Sequence, residues 1–257
     1  MITNTEQSLV QPTAPDNFTP SASTFLIILV GCLFAVALLA FLFSPVVEKM
    51  KIQKRNLARQ SVSKSNMKQL GLALWNYQKE HQTFPAGATF TKTGTPLHSW
   101  QTRILPFVDQ DQLYQQIDLE KPWNDPANQQ HFQRIVRCYV VPWSDELKSP
   151  EEYALSHYVG NELLLTKNQG IPLSQITDGA SHTISAVDRG DHFKAWGDPA
   201  NVARPADVIG PDKKTLFPGG NLILFSDGHV QFVSNKIDPQ ILKDLSTPDG
   251  GEAKCEF

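Results

Sequence analysis

The hydrophobic pattern of the chain begins with an uninterrupted apolar run. Residues 24–43 contain no charged side chain, and Ser44-Pro45 follow the run. At about 1.5 Å of rise per residue, a helix of this length reaches roughly 30 Å, which is the thickness of a bilayer's hydrocarbon core. A signal peptide has a shorter apolar region and a cleavage site, which this segment lacks. The sequence therefore predicts a retained transmembrane helix at 24–43, with the lipid bilayer as its partner.

Helix-forming residues continue after this run. From Val46 to His81 there is no proline, and Gly71 is the single glycine. Residues 44–64 are mostly polar and basic, which is typical of a helical stalk. The following part has apolar residues at helical spacing, which predicts a face that packs on a domain: Met67, Leu70, Leu74 and Tyr77.

Beyond Phe84-Pro85 the chain consists of short segments that glycine and proline interrupt. Short helices are predicted at 111–117 and 126–137, the second because capping side chains precede a proline in its first turn. Runs of β-branched and aromatic residues predict strands at 139–141, 157–159 and 183–187.

The clearest strand signal is a hairpin at 221–233. Two apolar segments flank Ser226-Asp227-Gly228, and Asp-Gly supplies the positive φ angles of a tight turn. A closing helix is predicted from Asp238-Pro239, with Ile241, Leu242 and Leu245 facing inward. The predicted organisation is thus a disordered tail, a transmembrane helix, a basic stalk, an α+β domain and a flexible tail, at 1–23, 24–43, 44–64, 65–246 and 247–257.

Charge adds a topological prediction. The net charge of −3 gives no support to nucleic-acid binding. Residues 1–23 contain no lysine or arginine, whereas six basic residues lie between 49 and 64. The positive-inside rule predicts that this basic side, and with it the C-terminal domain, stays in the cytoplasm.

Cysteine usage leaves two alternatives open. Cys32 lies inside the apolar run, so Cys138 and Cys255 are the remaining pair. They form a disulfide if the domain lies in an oxidising compartment, and otherwise they are a buried thiol and a tail thiol.

Short motifs in a fixed order carry a family resemblance over residues 60–240. They include the segment 65–77 with Phe84-Pro85, the segment 176–184 and the segments 218–221 and 225–228. Together these blocks resemble a large bacterial family of pseudopilin G-like proteins of unknown function, related to type IV pilins. The motif residues are Asn66, Gln69, Gly71, Tyr77, Pro85, Trp100, Pro106, Trp123, Asp178, Gly179, Gly219, Gly220, Asp227 and Gly228.

The resemblance implies a pilin-like α+β fold, in which a long helix that starts in the membrane packs on an antiparallel sheet with a C-terminal hairpin. It also implies a single-pass protein of the bacterial inner membrane, related to secretion or transport, with an extracytoplasmic domain. This extracytoplasmic location is opposite to the cytoplasmic one that the basic residues between 49 and 64 predict.

Two features depart from the family pattern. The Gly-Phe-Thr-Leu-Ile-Glu type processing signal is absent, and Phe217 replaces the histidine that lies nine residues before Asp227-Gly228.

Candidate chemistry is sparse. Asp178 and Asp227 are candidate calcium ligands, although turn geometry also accounts for both Asp-Gly pairs. The histidines have no zinc-like spacing. Ser156-His157 and Ser181-His182 are the nearest approach to a nucleophile and a base, without a nucleophile elbow.

The sequence thus predicts a membrane-anchored, non-enzymatic structural or interaction protein without a cofactor, which self-associates or binds protein partners. The alternative is a ligand- or calcium-binding module tethered to the membrane.

Overall fold

The computed structural model describes residues 21–251, apart from the side chains at 28, 35–37 and 40. The chain forms two compact units, Met1–Lys54 and Arg55–Phe257. The first helix, α1, spans Ala22–His81 and contains Pro45. The predicted continuation of helix from the apolar run to His81 is therefore confirmed. The predicted tail at 1–23 and Cys255 fall almost entirely outside the described residues.

In the first unit, the described residues all belong to α1 or directly precede it. The described apolar side chains of the 24–43 run are solvent-exposed, for example Ile27 at 72%, Phe34 at 71% and Phe41 at 77%. Among the described residues, no helix met the combined length and hydropathy required of a membrane span.

The second unit contains short helices and strands. After α1, the helices are α2 Trp100–Arg103, α3 Asp111–Gln116, α4 Gln129–Phe132, α5 Pro205–Val208 and α6 Pro239–Asp244. Single 3-10 turns lie at Leu105–Val108, Arg137–Tyr139 and Leu173–Gln175. The strands are β1 Ala88–Phe90, β2 Pro96–Ser99, β3 Leu155–Ser156, β4 Tyr158–Asn161, β5 Ile184–Asp188, β6 Lys194–Ala195, β7 Val202–Ala203, β8 Gly220–Phe225 and β9 Val230–Ser234.

The main sheet has the strand order β7-β4-β5-β8-β9. Its pairs are antiparallel except for the parallel pair of β4 and β7. The pairs β1-β2 and β3-β6 form separate two-stranded sheets. The protein is therefore mixed α+β, with a long N-terminal helix and a largely antiparallel sheet, as the sequence predicts.

The C-terminal hairpin of β8 and β9 is confirmed, with Leu222 opposite Phe232. At its turn, the Gly228 N–H donates to the carbonyl of Phe225, and Gly228 has a φ of 90°. Asp227 does not have a positive φ, so of these two turn residues Gly228 alone supplies the left-handed conformation. The closing helix α6 is also confirmed. Its N-cap is Asp238, whose side chain accepts a hydrogen bond from the Gln240 N–H.

The core of the second unit lies between α1 and the sheet. Met67, Leu70 and Leu74 are buried together with Leu222 and Leu224 of β8. A Cβ placed on Gly71 would lie 2.8 Å from Leu224 Cδ1, so any larger residue at this position would require the Leu224 side chain to shift. The predicted apolar face of α1 therefore does pack on the hairpin-bearing sheet. The opposite face of the sheet packs on α6 through Leu242 and Leu245.

Two predicted elements are wrong. The helix expected at 126–137 is reduced to α4, because the Asp125 side chain accepts from the Ala127 N–H and holds this segment in a turn. The buried Asn128 amide then donates to three carbonyl groups, which fixes the backbone before Gln129. The strand expected at 139–141 begins in a 3-10 turn, and the Val141 N–H donates to the His157 ring rather than to a neighbouring strand.

Candidate functional site

One group of motif residues forms the contact between α1 and the hairpin turn. A Cβ on Gly71 would also lie 3.0 Å from Gly228 Cα, so the helix and the turn meet backbone to backbone. The segment 176–184 wraps the same turn, because the Asp227 N–H donates to the Ala180 carbonyl and the Ser226 N–H donates to that of Thr183. These motif residues therefore have a structural role.

The two calcium candidates do not form a shared site. The Asp178 carboxylate accepts hydrogen bonds from the N–H groups of Gly250 and Gly251, at 2.7 and 3.0 Å. Asp227 Oδ1 accepts from the His229 N–H and lies 2.6 Å from His229 Nδ1. Within the described part of the chain, no group of three or more acidic, histidine or cysteine side chains is placed to hold a metal ion.

The two Ser-His neighbours differ in geometry. Ser181 Oγ lies 3.0 Å from His182 Nδ1. A catalytic pair of this kind needs a third group that orients the histidine, and no such hydrogen bond to His182 occurs among the described residues. Ser156 instead accepts from the Gln101 amide, and His157 Nδ1 accepts from the Val141 N–H. Ser156 and His157 thus form separate hydrogen bonds within the core and do not form a pair with each other.

Several other motif residues also support the fold. Trp100 is fully buried and donates its indole N–H to the Asn201 carbonyl. Asn66 donates to the Val140 carbonyl, and Pro85 is buried. Gln69 is exposed on α1. Of the remainder, Trp123 packs edge-on against Tyr153, Gly179 and Gly219 have positive φ, and Gly220 closely approaches the Val233 carbonyl.

Phe217, which replaces the histidine of the family pattern, is buried in the core at 4% exposure. Its ring lies 6.1 Å from that of Trp143. This position therefore has a packing role in this chain.

The strongest candidate site is a cavity of about 490 Å³ at the C-terminal end of α1, here named the helix-end pocket. The last turns of α1 contribute Tyr77, Glu80 and His81 to its lining. The end of α2 contributes Arg103, the following 3-10 turn contributes Pro106 and Phe107, and α3 contributes Asp111 and Tyr114. Its volume falls within the range of about 300–1,000 Å³ that is typical of small-molecule sites.

Aromatic rings form one part of this pocket. The centroids of Tyr77 and His81 are 4.2 Å apart, and that of Phe107 lies 5.9 Å from Tyr77 in an edge-to-face arrangement. His81 is also perpendicular to Phe107, at 6.4 Å. The three rings contact one another, so together they offer a preformed aromatic surface.

Charged groups form the other part. Arg103 is half-buried, and among the described residues its guanidinium forms neither an ion pair nor a hydrogen bond. Burial raises the pKa of the Tyr77 hydroxyl, and the positive charge of the nearby Arg103 opposes this effect. Glu80 and Asp111 are exposed at its rim.

Only part of this pocket was predicted from the sequence. Tyr77 and Pro106 belong to the motif blocks, but Arg103, His81 and Asp111 were missed. The available signal was a single arginine, Arg103, between the aromatic residue Trp100 and the apolar segment 104–108. Its significance depends on α1, α2 and α3 meeting in space.

A buried carboxylate was also missed. Asp188 ends β5 and is fully buried. The Asn221 amide donates to its carbonyl and to its Oδ1, at 2.9 and 3.1 Å, whereas Oδ2 has no partner in the described residues. Burial raises the pKa of Asp188 from 3.8 to about 7. From sequence alone, an aspartate after an apolar strand resembles an exposed strand end.

Comparison with known proteins gives a partial match. A family model described as "Protein of unknown function (DUF1559)" matches residues 53–162. The matched segment includes every residue that lines the helix-end pocket and stops before the C-terminal hairpin. Comparison with the curated proteins gave no match, and comparison with the solved structures gave none either.

Proposed function

We propose that this protein is a membrane-anchored, non-enzymatic interaction protein. In this proposal, residues 24–43 hold the chain in the lipid bilayer and the folded second unit recognises a partner. The helix-end pocket is the recognition site, because it combines aromatic rings that contact one another with a guanidinium that has no partner among the described residues.

The observation that carries the anchor is the exposure of the described apolar side chains of the 24–43 run. Leu26, Leu33 and Leu42 are each about 60% exposed, and no charge interrupts the run in the sequence. A continuous apolar surface of this kind is costly in water and stable in hydrocarbon. The family resemblance supports the same proposal, since pilin-like chains begin with such a helix.

We further propose a pseudopilin-like relationship, related to secretion or transport, with the second unit on the extracytoplasmic side of a bacterial inner membrane. The motif blocks and the long helix on a sheet support this assignment. The basic residues between 49 and 64 favour the opposite orientation. Self-association through α1 follows as an expectation from the pilin-like architecture.

The proposal of a non-enzymatic role rests on the chemistry of the helix-end pocket. Its lining contains no serine, cysteine, threonine or lysine, and His81 Nε2 lies 3.9 Å from Glu80 Oε1, beyond the hydrogen-bond distance of an acid–base pair. The Ser181-His182 pair lies on a different segment and lacks an orienting group among the described residues. Recognition, rather than turnover, is therefore the function that this arrangement favours.

Membrane fractionation tests the anchor. The wild-type chain should remain with the membrane after alkaline carbonate extraction. A Leu33→Arg/Leu38→Arg double variant should be extracted, because each arginine near the centre of a membrane helix costs about 2.5–3.5 kcal/mol. Leu57→Arg is a matched control, since Leu57 is 58% exposed on α1 outside the apolar run. Extraction of the wild-type chain by carbonate would contradict the proposal.

A reporter fused after Phe257 and active on one side of the membrane tests the orientation. External activity would support the pseudopilin-like arrangement and permit a Cys138–Cys255 disulfide. Cytoplasmic activity would uphold the charge bias and exclude that disulfide.

A further inference from the structure

We propose that the helix-end pocket binds a small zwitterion with an aromatic body, that is, a ligand with a ring, a carboxylate and an ammonium group. An aromatic amino acid is the simplest ligand of this class. A short peptide that ends in an aromatic residue carries the same three groups, with its ammonium group displaced to the peptide N-terminus. The inference rests on the proposed recognition role of the pocket and specifies what the pocket recognises.

The guanidinium of Arg103 selects the carboxylate. It is held on α2 at half-buried depth and is free of ion pairs within the described residues. A guanidinium matches a carboxylate through two parallel N–H···O bonds, and such bonds strengthen where water is partly excluded. The unpaired Arg103 therefore offers the pocket a binding position for an anionic group.

The rim selects a cation. Glu80 and Asp111 both line the pocket. Glu80 Oε1 lies 3.9 Å from His81 Nε2, and within the described part of the chain neither carboxylate forms an ion pair with Arg103. The two carboxylates therefore lie apart from the guanidinium, and Asp111 has no ion-pair partner among the described residues, so this rim offers an acidic position to an ammonium group. With two carboxylates and one guanidinium, the pocket disfavours a ligand that carries only negative charge, such as inorganic phosphate. A ligand with separated charges of both signs complements it best.

The rings select the body of the ligand. Tyr77, His81 and Phe107 are fixed against one another by edge-to-face and tilted contacts. Aromatic rings prefer these same contacts with a further ring. A cavity of about 490 Å³ leaves room for one aromatic side chain together with its charged groups.

Calorimetry on the full chain in lipid nanodiscs tests this inference with defined probes. L-phenylalanine carries both charges, L-phenylalaninamide lacks the carboxylate, and N-acetyl-L-phenylalanine lacks the ammonium group. We expect L-phenylalanine to bind more tightly than either analogue. Gly-Gly-Phe separates the two sources of the ligand, because it binds at least as tightly as L-phenylalanine only if the pocket recognises a peptide terminus.

Variants assign the charges. Arg103→Gln should weaken L-phenylalanine about tenfold or more, and should leave L-phenylalaninamide unchanged. Arg103→Lys keeps a point charge and should restore part of the affinity. Arg137→Gln is the matched control, because Arg137 is exposed and lies outside the pocket. Glu80→Gln combined with Asp111→Asn should weaken L-phenylalanine and L-phenylalaninamide, which both carry an α-ammonium group, by about threefold.

Three results would overturn the inference. The first is no heat of binding with any probe at millimolar concentration. The second is equal affinity for L-phenylalanine and its amide, which would mean that Arg103 does not bind the carboxylate of the ligand. The third is an equal loss of both ligands in Arg103→Gln without rescue by Arg103→Lys. Each of these leaves carbonate extraction unchanged, so failure of the ligand assignment is distinguishable from failure of the membrane anchor.

Discussion

Replacing Asp188 by asparagine should remove a specific pH dependence of stability. The unfolded chain releases the Asp188 proton near pH 3.8, whereas the folded protein holds it up to about pH 7. Between these values the folded state binds a proton that the unfolded state has lost, so rising pH favours unfolding. The stabilising contribution is therefore fully present below about pH 4 and is lost as the pH rises through 7.

The size of the effect follows from the same two pKa values. At 1.36 kcal/mol for each pH unit, the interval from 3.8 to about 7 corresponds to about 4 kcal/mol of unfolding free energy. Because Asp188 is fully buried, solvent does not screen this energy. Asp188→Asn keeps an oxygen that accepts from the Asn221 amide, and it introduces no ionisable group. The variant should thus gain stability relative to the wild type as the pH rises.

Urea unfolding of the full chain in mild detergent, followed by the fluorescence of the buried Trp100 and Trp196, measures the effect between pH 4 and 8. Burial lowers the pKa of His98 and His157 to about 4, so these residues add a slope of opposite sign that is common to both proteins. The difference between variant and wild type cancels this slope. A difference that stays constant over the whole pH range would refute the reasoning.

Two further predictions concern the motif residues. Gly71→Val should lower the free energy of unfolding by about 1–3 kcal/mol, because its side chain would overlap Leu224 and Gly228; thermal unfolding measures this, with the exposed Gln69→Ala as control. Adding millimolar calcium should leave the unfolding midpoint unchanged, because the Asp178 carboxylate already accepts from two backbone N–H groups. A calcium-dependent rise of the midpoint that Asp178→Asn abolishes would instead support the calcium-binding alternative.

The parts of the fold that the sequence predicts well are those with a repeating pattern. The apolar spacing of Met67, Leu70 and Leu74 has one structural solution, a helix with one buried face. The hairpin has two apolar segments and a glycine for its positive φ, so its register follows from the turn.

The parts that the sequence does not predict depend on contacts between distant residues. Asn124 and Asp125 look like helix-capping residues, yet the Asp125 side chain stabilises a turn. The Asn128 amide then donates to the carbonyl groups of Asp118, Lys121 and Pro122. The helix-end pocket is hidden for the same reason, since its charged and aromatic residues come from separate helices. The burial of Asp188 depends on the pairing of β5 with β8, which the local sequence does not specify.

The close approach of Gly71 to Leu224 has a consequence for biosynthesis. The ribosome adds about 150 residues between these two positions, which takes roughly 8 to 30 s at about 5–20 residues per second. During that interval the buried face of α1 has been synthesised, whereas the strand that covers it has not. The nascent chain therefore presents Met67, Leu70 and Leu74 to chaperones or to other nascent chains. A premature stop before β8 would leave that surface permanently uncovered, so we expect such truncated chains to be degraded rather than to persist as a shorter domain.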